Sequence, residues 1–334
     1  MEKIKNVIVT ELDIEILKCL YKMMFLTETH ISVLVGENLG YVKGRLKKLC
    51  TAGLITRTTP NGIAVNCITK AGIAELGLPY RNIVKPKLGR YEHNLGEADV
   101  YVWLSMWRRF QDGTEHSWIP FGSIVTERDI AAVKGMHITG HRKDGQPIYV
   151  SDDKDIHIPD GYIIRKDSFA AIEYERTAKS SNAILKSNIR ENMRRFHFQY
   201  WIYDDPYVGK ILYDQQKELG KNLMAVYDIR QIRKDIDAYK DRIPSIISQK
   251  TGIPRKSCLG TLLDPIPLNK LPLRPTFQNQ VTFESRDNSV EMASKNQIIK
   301  SAPDNITPNV ATQRNPSEPV QNRPFNVKSF FERR

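Results

Sequence analysis

Cysteine is scarce in this chain: Cys19, Cys50, Cys67 and Cys258 are the only four among 334 residues. None forms a Cys-x-x-Cys pair, which argues against a zinc knuckle or a disulfide scaffold and favours a reducing cytoplasm. Long apolar runs are missing too. No stretch of sequence is long enough to span a bilayer, and Met1 to Asp13 mixes charges with short apolar steps instead of a signal-peptide core. A soluble protein with no membrane partner is expected. There is no glycine-rich phosphate loop or evident cofactor box. His137, His141 and His157 lack compact ligand spacing, so hydrogen-bonding or surface roles are favoured over zinc.

Positive charge is plentiful. Lysine and arginine number 50 against 38 acidic residues, for a formal net charge of +12. Such an excess draws nucleic acid by counterion release, and it would also suit an anionic membrane surface, so charge alone does not choose the partner. With 40% hydrophobic residues the chain can bury a sizeable core, and its length suggests two domains plus extra segments.

Leu12, Ile14, Ile16, Leu17, Leu20 and Tyr21 recur at helical spacing and predict a first helix. Thr29 is placed to cap a second one through Val35, stopped by Gly36, and Asn38-Leu39-Gly40 turns the chain into a third, Tyr41 to Thr51. Val42, Leu46 and Leu49 form its inner stripe. Leu54 to Thr58 and Ile63 to Ile68 then read as a hairpin around Pro60-Asn61-Gly62. The block Leu12 to Leu78 resembles winged-helix regulators, carrying Leu46, Leu49, Gly53, Leu54 and Ile55 where their signature precedes the wing. This points to double-stranded DNA as partner. Tyr41, Lys43, Arg45, Lys47 and Lys48 are the candidate contacts on the third helix, with Arg57 on the wing; a winged helix used for protein pairing is the alternative.

Pro79 to Lys87 reads as a linker, and a largely buried helix is predicted from Tyr91 to Phe110, with His93 and Glu97 one turn apart. Further on, Ile156 to Ile164 and Phe169 to Thr177 are predicted as neighbouring strands across Arg165 to Ser168. Strand alternation sends Glu173 and Glu175 to one face, with Asp160 close by. Three carboxylates so placed are candidate ligands for Mg²⁺, a hard cation that activates water and offsets charge on a phosphate under attack.

His93-Asn94-Leu95, Pro159-Asp160-Gly161 and Glu173-Tyr174-Glu175-Arg176-Thr177 resemble the replication-relaxation family of plasmid and mobile-element proteins, from the winged helix through Tyr213. That resemblance implies a PD-(D/E)XK-like core and a role in replication, DNA relaxation or mobilisation. It also gives Glu97 a supporting place in the metal site, as the acidic residue on the first helix of such cores. The usual pattern ends in Glu-x-Lys, whereas Glu175 stands where the lysine would be. Lys179 is the candidate for the missing cation. An inactive nuclease fold retained for DNA binding, its acids paired with Arg176 or Lys179, stays open beside the active one.

Ser181 to Tyr203 is predicted helical, with Lys186, Arg190 and Arg194 repeating every four residues as a basic stripe for backbone phosphates, and with core aromatics at Phe196, Phe198, Tyr200 and Trp201. Strands are predicted at Val208 to Tyr213 and Leu223 to Tyr227. Past Leu263, prolines, Asn, Gln and Ser replace apolar periodicity, as expected of disorder. The end resembles sliding-clamp-binding peptides, with Val327, Phe330 and Phe331 at matching spacing and Pro324 where such peptides carry Gln.

These readings predict an α+β or α/β architecture. It comprises a winged helix-turn-helix over 11–80, a linker over 81–90, a restriction-endonuclease-like mixed sheet flanked by helices over 91–262, and a disordered tail over 263–334. The function expected is DNA binding in replication, relaxation or mobilisation, with Mg²⁺-dependent nicking by Asp160, Glu173, Glu175 and Lys179. The alternative is a non-catalytic origin-binding or transcriptional regulatory protein. The sequence leaves the oligomeric state open.

Overall fold

Thr10 and Asp13 start the first helix by satisfying each other's backbone. The Asp13 carboxylate accepts the Thr10 N–H at 2.8 Å, and the Thr10 hydroxyl accepts the Asp13 N–H at 3.4 Å. Helix α1 (Glu11–Lys22) then buries Leu12, Ile16, Leu17 and Leu20. This computed structural model describes residues 8–80, 88–109, 114–132, 136–141, 147–151, 157–165, 168–177, 182–243, 256–266 and 270–271.

After β1 (Leu26–Thr27) comes α2 (Glu28–Val35), capped by Thr27 and not by Thr29. Thr27 is the residue with extended backbone, so its hydroxyl can turn to the His30 N–H, whereas Thr29 already lies inside the helix. Gly36 ends α2 at φ 62°, and a Cβ there would meet the Lys256 carbonyl at 2.3 Å. Helix α3 (Leu39–Thr51) is capped by Asn38. Strands β2 (Ile55–Thr58) and β3 (Val65–Ile68) pair antiparallel, with β1 on the far side of β3, and α4 (Lys70–Glu75) follows.

The second block starts with α5 (Leu88–Ser105). Strands β4 (Trp107–Arg109) and β5 (Glu115–Ser117) form a small hairpin before β6 (Ile124–Thr126) and α6 (Glu127–Ala132). A further pair joins β7 (Met136–His141) to β8 (Pro147–Ser151). Next are β9 (Gly161–Ile164), β10 (Phe169–Glu175), α7 (Asn182–Arg195), β11 (Phe198–Tyr203), α8 (Pro206–Leu219), β12 (Met224–Asp228) and α9 (Ile229–Lys240). One mixed sheet takes five of these strands in the order β12-β11-β10-β9-β6. Strands β10, β11 and β12 run parallel through crossovers α7 and α8, while β9 is antiparallel to both its neighbours. The chain is therefore a mixed α and β structure.

Three predicted elements are corrected. The helix expected from Tyr91 to Phe110 ends at Ser105, and Trp107–Arg109 pairs as a strand with Glu115–Ser117. The helix expected through Tyr203 stops at Arg195, because Phe198 to Tyr203 is an aromatic and β-branched run buried at every position, the pattern of a central strand. The strand expected at Val208 to Tyr213 is part of α8. Asp205 caps it, Pro206 takes the first helical position, and Val208 and Leu212 bury one turn apart.

The blocks meet through buried charge. Lys22 of α1 lies 3.2 Å from Asp129 of α6, each side chain 3% exposed. Asp99 of α5 takes the His30 Nε2 of α2 at 2.8 Å and the Arg233 Nε of α9 at 2.7 Å. Within the first block, Arg45 of α3 donates to Asp13 of α1 through Nε at 2.9 Å and also through Nη2.

The carboxy-terminal boundary of the packed chain also differs from expectation. The Cys258 N–H donates to the Leu34 carbonyl at 2.7 Å, the Leu263 N–H to the Gly122 carbonyl at 3.1 Å, and Leu271 is buried beside Tyr162 and Phe196. Isolated apolar residues between prolines therefore still find core, up to Leu271. Residues 272–334, with Val327, Phe330 and Phe331, lie outside the described residues, as do 81–87 of the expected linker.

Burial pushes the Asp13 carboxyl up, but hydrogen bonds from Arg45 and Thr10 outweigh it and hold it below its ordinary 3.8. A depressed carboxylate stabilises the fold above its unfolded value and loses that contribution as pH falls through the folded one. Asp13→Ala should cost about 3–5 kcal/mol at neutral pH, because it strands the Arg45 charge. Urea unfolding at neutral pH and again below 3.8 is the check, and the deficit should shrink in acid.

Candidate active site

Gly161 faces Ile172 across the antiparallel β9 and β10, so Asp160 and Glu173 are the next facing positions along the pair. Alternation along β10 directs Glu173 and Glu175 away from the face that carries Ile172 and Tyr174. The Tyr101 hydroxyl of α5 donates to the Asp160 carbonyl at 2.8 Å. That approach requires glycine next door, since a Cβ on Gly161 would lie 2.6 Å from the Tyr101 oxygen and 2.8 Å from the Val125 carbonyl.

The Tyr174 N–H donates to Asp160 Oδ2 at 2.7 Å. Asp160 Oδ1 lies 3.7 Å from His93 Nε2, and that same nitrogen is 3.2 Å from Glu97 Oε1. His93 also stacks on the Tyr174 ring, centroids 5.5 Å apart. On the other side, Glu173 Oε1 takes His157 Nε2 at 2.6 Å and the Asn192 amide of α7 at 2.7 Å. Two imidazole–carboxylate pairs thus flank Asp160.

Electrostatics separate the four acids. Burial pushes Asp160 up, but hydrogen bonding and charge from His93 outweigh it and leave the carboxyl below its ordinary range. Burial raises Glu97 and Glu173. Glu175 is pushed up to about 7, first by burial and then by the Glu173 and Asp160 charges. Burial pulls both histidines down, yet their carboxylates win, holding His93 well above its ordinary 6.5 and raising His157.

The predicted acids Asp160, Glu173 and Glu175 stand on adjoining strand positions, and Glu97 reaches Asp160 through His93. Lys179 lies outside the described residues. What the sequence reading missed is the pairing of His93 with Asp160 and of His157 with Glu173. The only local signals were the one-turn spacing of His93 and Glu97 and the position of His157 three residues before Asp160.

On α3, Tyr41, Lys43, Lys47 and Lys48 are exposed. Arg45 is corrected: it is 7% exposed and committed to Asp13, because it falls beside Leu46 on the inner stripe. Lys43 and Arg57 converge on Glu28, at 3.5 and 2.6 Å. On α7, Arg190 and Arg194 are exposed and Lys186 is half-buried; Arg194 pairs with Glu191 at 3.1 Å. No protein-family model, curated protein or solved structure matches the chain.

Two variants test this geometry. Gly161→Ala should lose about 1–3 kcal/mol through overpacking against Tyr101. Unfolding at full stability would mean that Tyr101 does not fix the Asp160 backbone. Glu175 has a folded value raised from 4.5 to about 7, so the folded state holds the extra proton and stability falls as pH rises across that interval. Glu175→Gln, in chelator, should reduce that decline, leaving the part due to Glu97 and Glu173. An unchanged pH slope would contradict the Glu175 assignment.

Proposed function

We propose that this is a DNA-binding protein of plasmid or mobile-element replication, relaxation or mobilisation that hydrolyses a phosphodiester with a divalent metal ion at Asp160. The observation that carries the reading is the placement of two imidazole–carboxylate pairs beside Asp160: His93–Glu97 on α5, with His93 3.7 Å from Asp160, and His157–Glu173, with Glu173 at the strand position facing it. The motifs that resemble the replication-relaxation family supply its main acids. In this reading α1 to α3 with the β2–β3 hairpin act as a winged helix, and Lys47 and Lys48 meet duplex phosphates.

The residues fit a cation. Glu97 Oε1 is buried and accepts no hydrogen bond, a condition a metal would relieve. A divalent ion bound here would supply a water of lowered pKa and offset phosphate charge. Asp160 stays ionised, as a ligand must. Glu175, titrating near 7, suits a proton acceptor for water at neutral pH. His157, kept protonated by Glu173, offers positive charge where Glu175 replaces the customary lysine. Arg190 and Arg194 on α7 extend the basic path.

A second reading rests on one observation: Asp160 and Glu173 already have partners within the chain, as a structural polar network would. The protein would then bind an origin or regulate transcription without cleaving. Nicking of supercoiled origin plasmid with Mg²⁺ or Mn²⁺ separates the two. Wild type should nick, and Asp160→Ala should fall to background while still binding. Lys47→Ala with Lys48→Ala should weaken binding across sequences and lower the salt slope by about 2. Binding without nicking in either metal favours the second reading, and a tyrosine-linked product overturns hydrolysis.

A further inference from the structure

The donor set nearest to chelating geometry is not the all-oxygen set that Mg²⁺ prefers. Among the described residues, one ligand atom each from His93, Glu97 and Asp160 lie within 4.8 Å of one another. The imidazole nitrogen is 3.2 Å from one carboxylate and 3.7 Å from the other. Ligands bonded at about 2.0–2.2 Å around one ion sit roughly 3–3.5 Å apart, so small side-chain adjustments close the set. Glu173 is placed differently, since its Oε1 is already held by both His157 and Asn192.

A second observation points to a ligand. Glu97 is 5% exposed, and its Oε1, the oxygen turned to His93, is fully shielded and accepts no hydrogen bond. The 3.2 Å approach of His93 lacks the alignment of one. A buried carboxylate oxygen left so is costly unless a cation completes it. The surrounding groups orient ligands as outer-shell partners of metal sites do. Tyr174 holds Asp160 Oδ2 through its N–H, leaving Oδ1 toward His93, and its ring fixes the imidazole plane.

We propose that His93, Glu97 and Asp160 form a binding site for a first-row transition metal ion of the Zn²⁺ or Mn²⁺ class, with His93 Nε2 as its nitrogen ligand. The imidazole suits Zn²⁺ and the two carboxylates suit either ion, whereas Mg²⁺ keeps to oxygen and water. Of the ligand set Asp160, Glu173, Glu175 and Glu97 expected from sequence, this keeps Asp160 and Glu97 and puts His93 in place of Glu173 and Glu175. It rests on the hydrolase reading only for what the ion does, because binding is measurable without cleavage.

Purified full-length protein, stripped with chelator, is titrated with Mn²⁺ and followed by loss of the free-ion electron paramagnetic resonance signal. Wild type should take up one Mn²⁺, release it to Zn²⁺, and keep it in a tenfold excess of Mg²⁺. His93→Gln and Glu97→Gln, each checked for native circular dichroism, should weaken uptake at least tenfold. Failure of folded wild type to bind Mn²⁺ or Zn²⁺ overturns the site and leaves a network of ion pairs. Displacement by Mg²⁺ overturns the ion class, and undiminished uptake by folded His93→Gln overturns the nitrogen ligand. Binding as described without plasmid nicking sinks the hydrolase reading alone. Nicking in Mg²⁺ that His93→Gln leaves intact sinks the metal assignment alone.

Discussion

Helix α5 reaches strand β10 only because position 96 carries no side chain. A Cβ on Gly96 would sit 2.2 Å from the Tyr174 ring, deep inside any allowed contact. With hydrogen there instead, the Tyr174 ring lies against the helix and His93, one turn back, stacks on it. Every feature of the pocket follows from that approach. Tyr101, further along the same helix, comes within hydrogen-bonding distance of the Asp160 carbonyl, and Gly161 is the matching absence on the strand side. Two glycines, one on the helix and one on the strand, thus let a helix and the sheet close on a shared set of acids.

The same helix carries the amino-terminal block. Asp99 lies two residues past Glu97 and binds α2 through His30 and α9 through Arg233. His30 Nδ1 accepts the Thr27 N–H, so Nε2 is the nitrogen that donates to Asp99. A helix cap of the first block is thereby tied to a buried carboxylate of the second. A hydrogen bond from a neutral imidazole to a buried carboxylate contributes about 1.5–3 kcal/mol, which is lost if the two separate. Such pairs specify arrangement. A shift of α2 against α5 has either to carry Asp99 with it or to pay that cost.

Much of this was legible in the chain, and the omissions have physical reasons. Apolar spacing of 3.6 marked α1 to α3 and Gly36 marked the end of α2, though its cap was read two residues late, at Thr29; alternation around two turns marked the β2–β3 and β9–β10 hairpins. Because those two strands are consecutive, the adjacency of Asp160 and Glu173 was also readable. Non-local pairings were not. His93 stands 67 residues before Asp160 in the numbering, and nothing local says that α5 crosses the end of β9. Arg45 read as one more cation on a basic helix, since its partner Asp13 lies 32 residues away. The merged helix and strand at Phe198 and the misread α8 are cases in which short apolar runs satisfy both periods; Pro206 after Asp205 was the overlooked signal. Leu271 was lost among prolines because burial of an isolated apolar residue leaves no periodic trace.

The pocket's charge can be followed to a consequence. Glu97, Asp160, Glu173 and Glu175, all ionised, would carry four negative charges against two from His93 and His157 when protonated. In a medium of low effective dielectric that imbalance is expensive, because like charges a few ångströms apart repel by several kcal/mol. The fold answers it with protons, as the upward shifts of Glu97, Glu173 and Glu175 and the downward shift of Asp160 record. Asp160 stays ionised while Glu97 and Glu175, both raised to about 7, hold hydrogen toward neutrality. A divalent cation held by His93 would take the place of that imidazole's proton and of protons on the neighbouring acids, the exchange by which sites of this composition couple binding to pH. Replacing Glu175 by the lysine its position suggests by resemblance would cancel that two-charge imbalance, removing one negative charge and adding one positive, without supplying a ligand. The glutamate therefore belongs to a pocket balanced by imidazoles and a cation, a different electrostatic solution from one balanced by lysine.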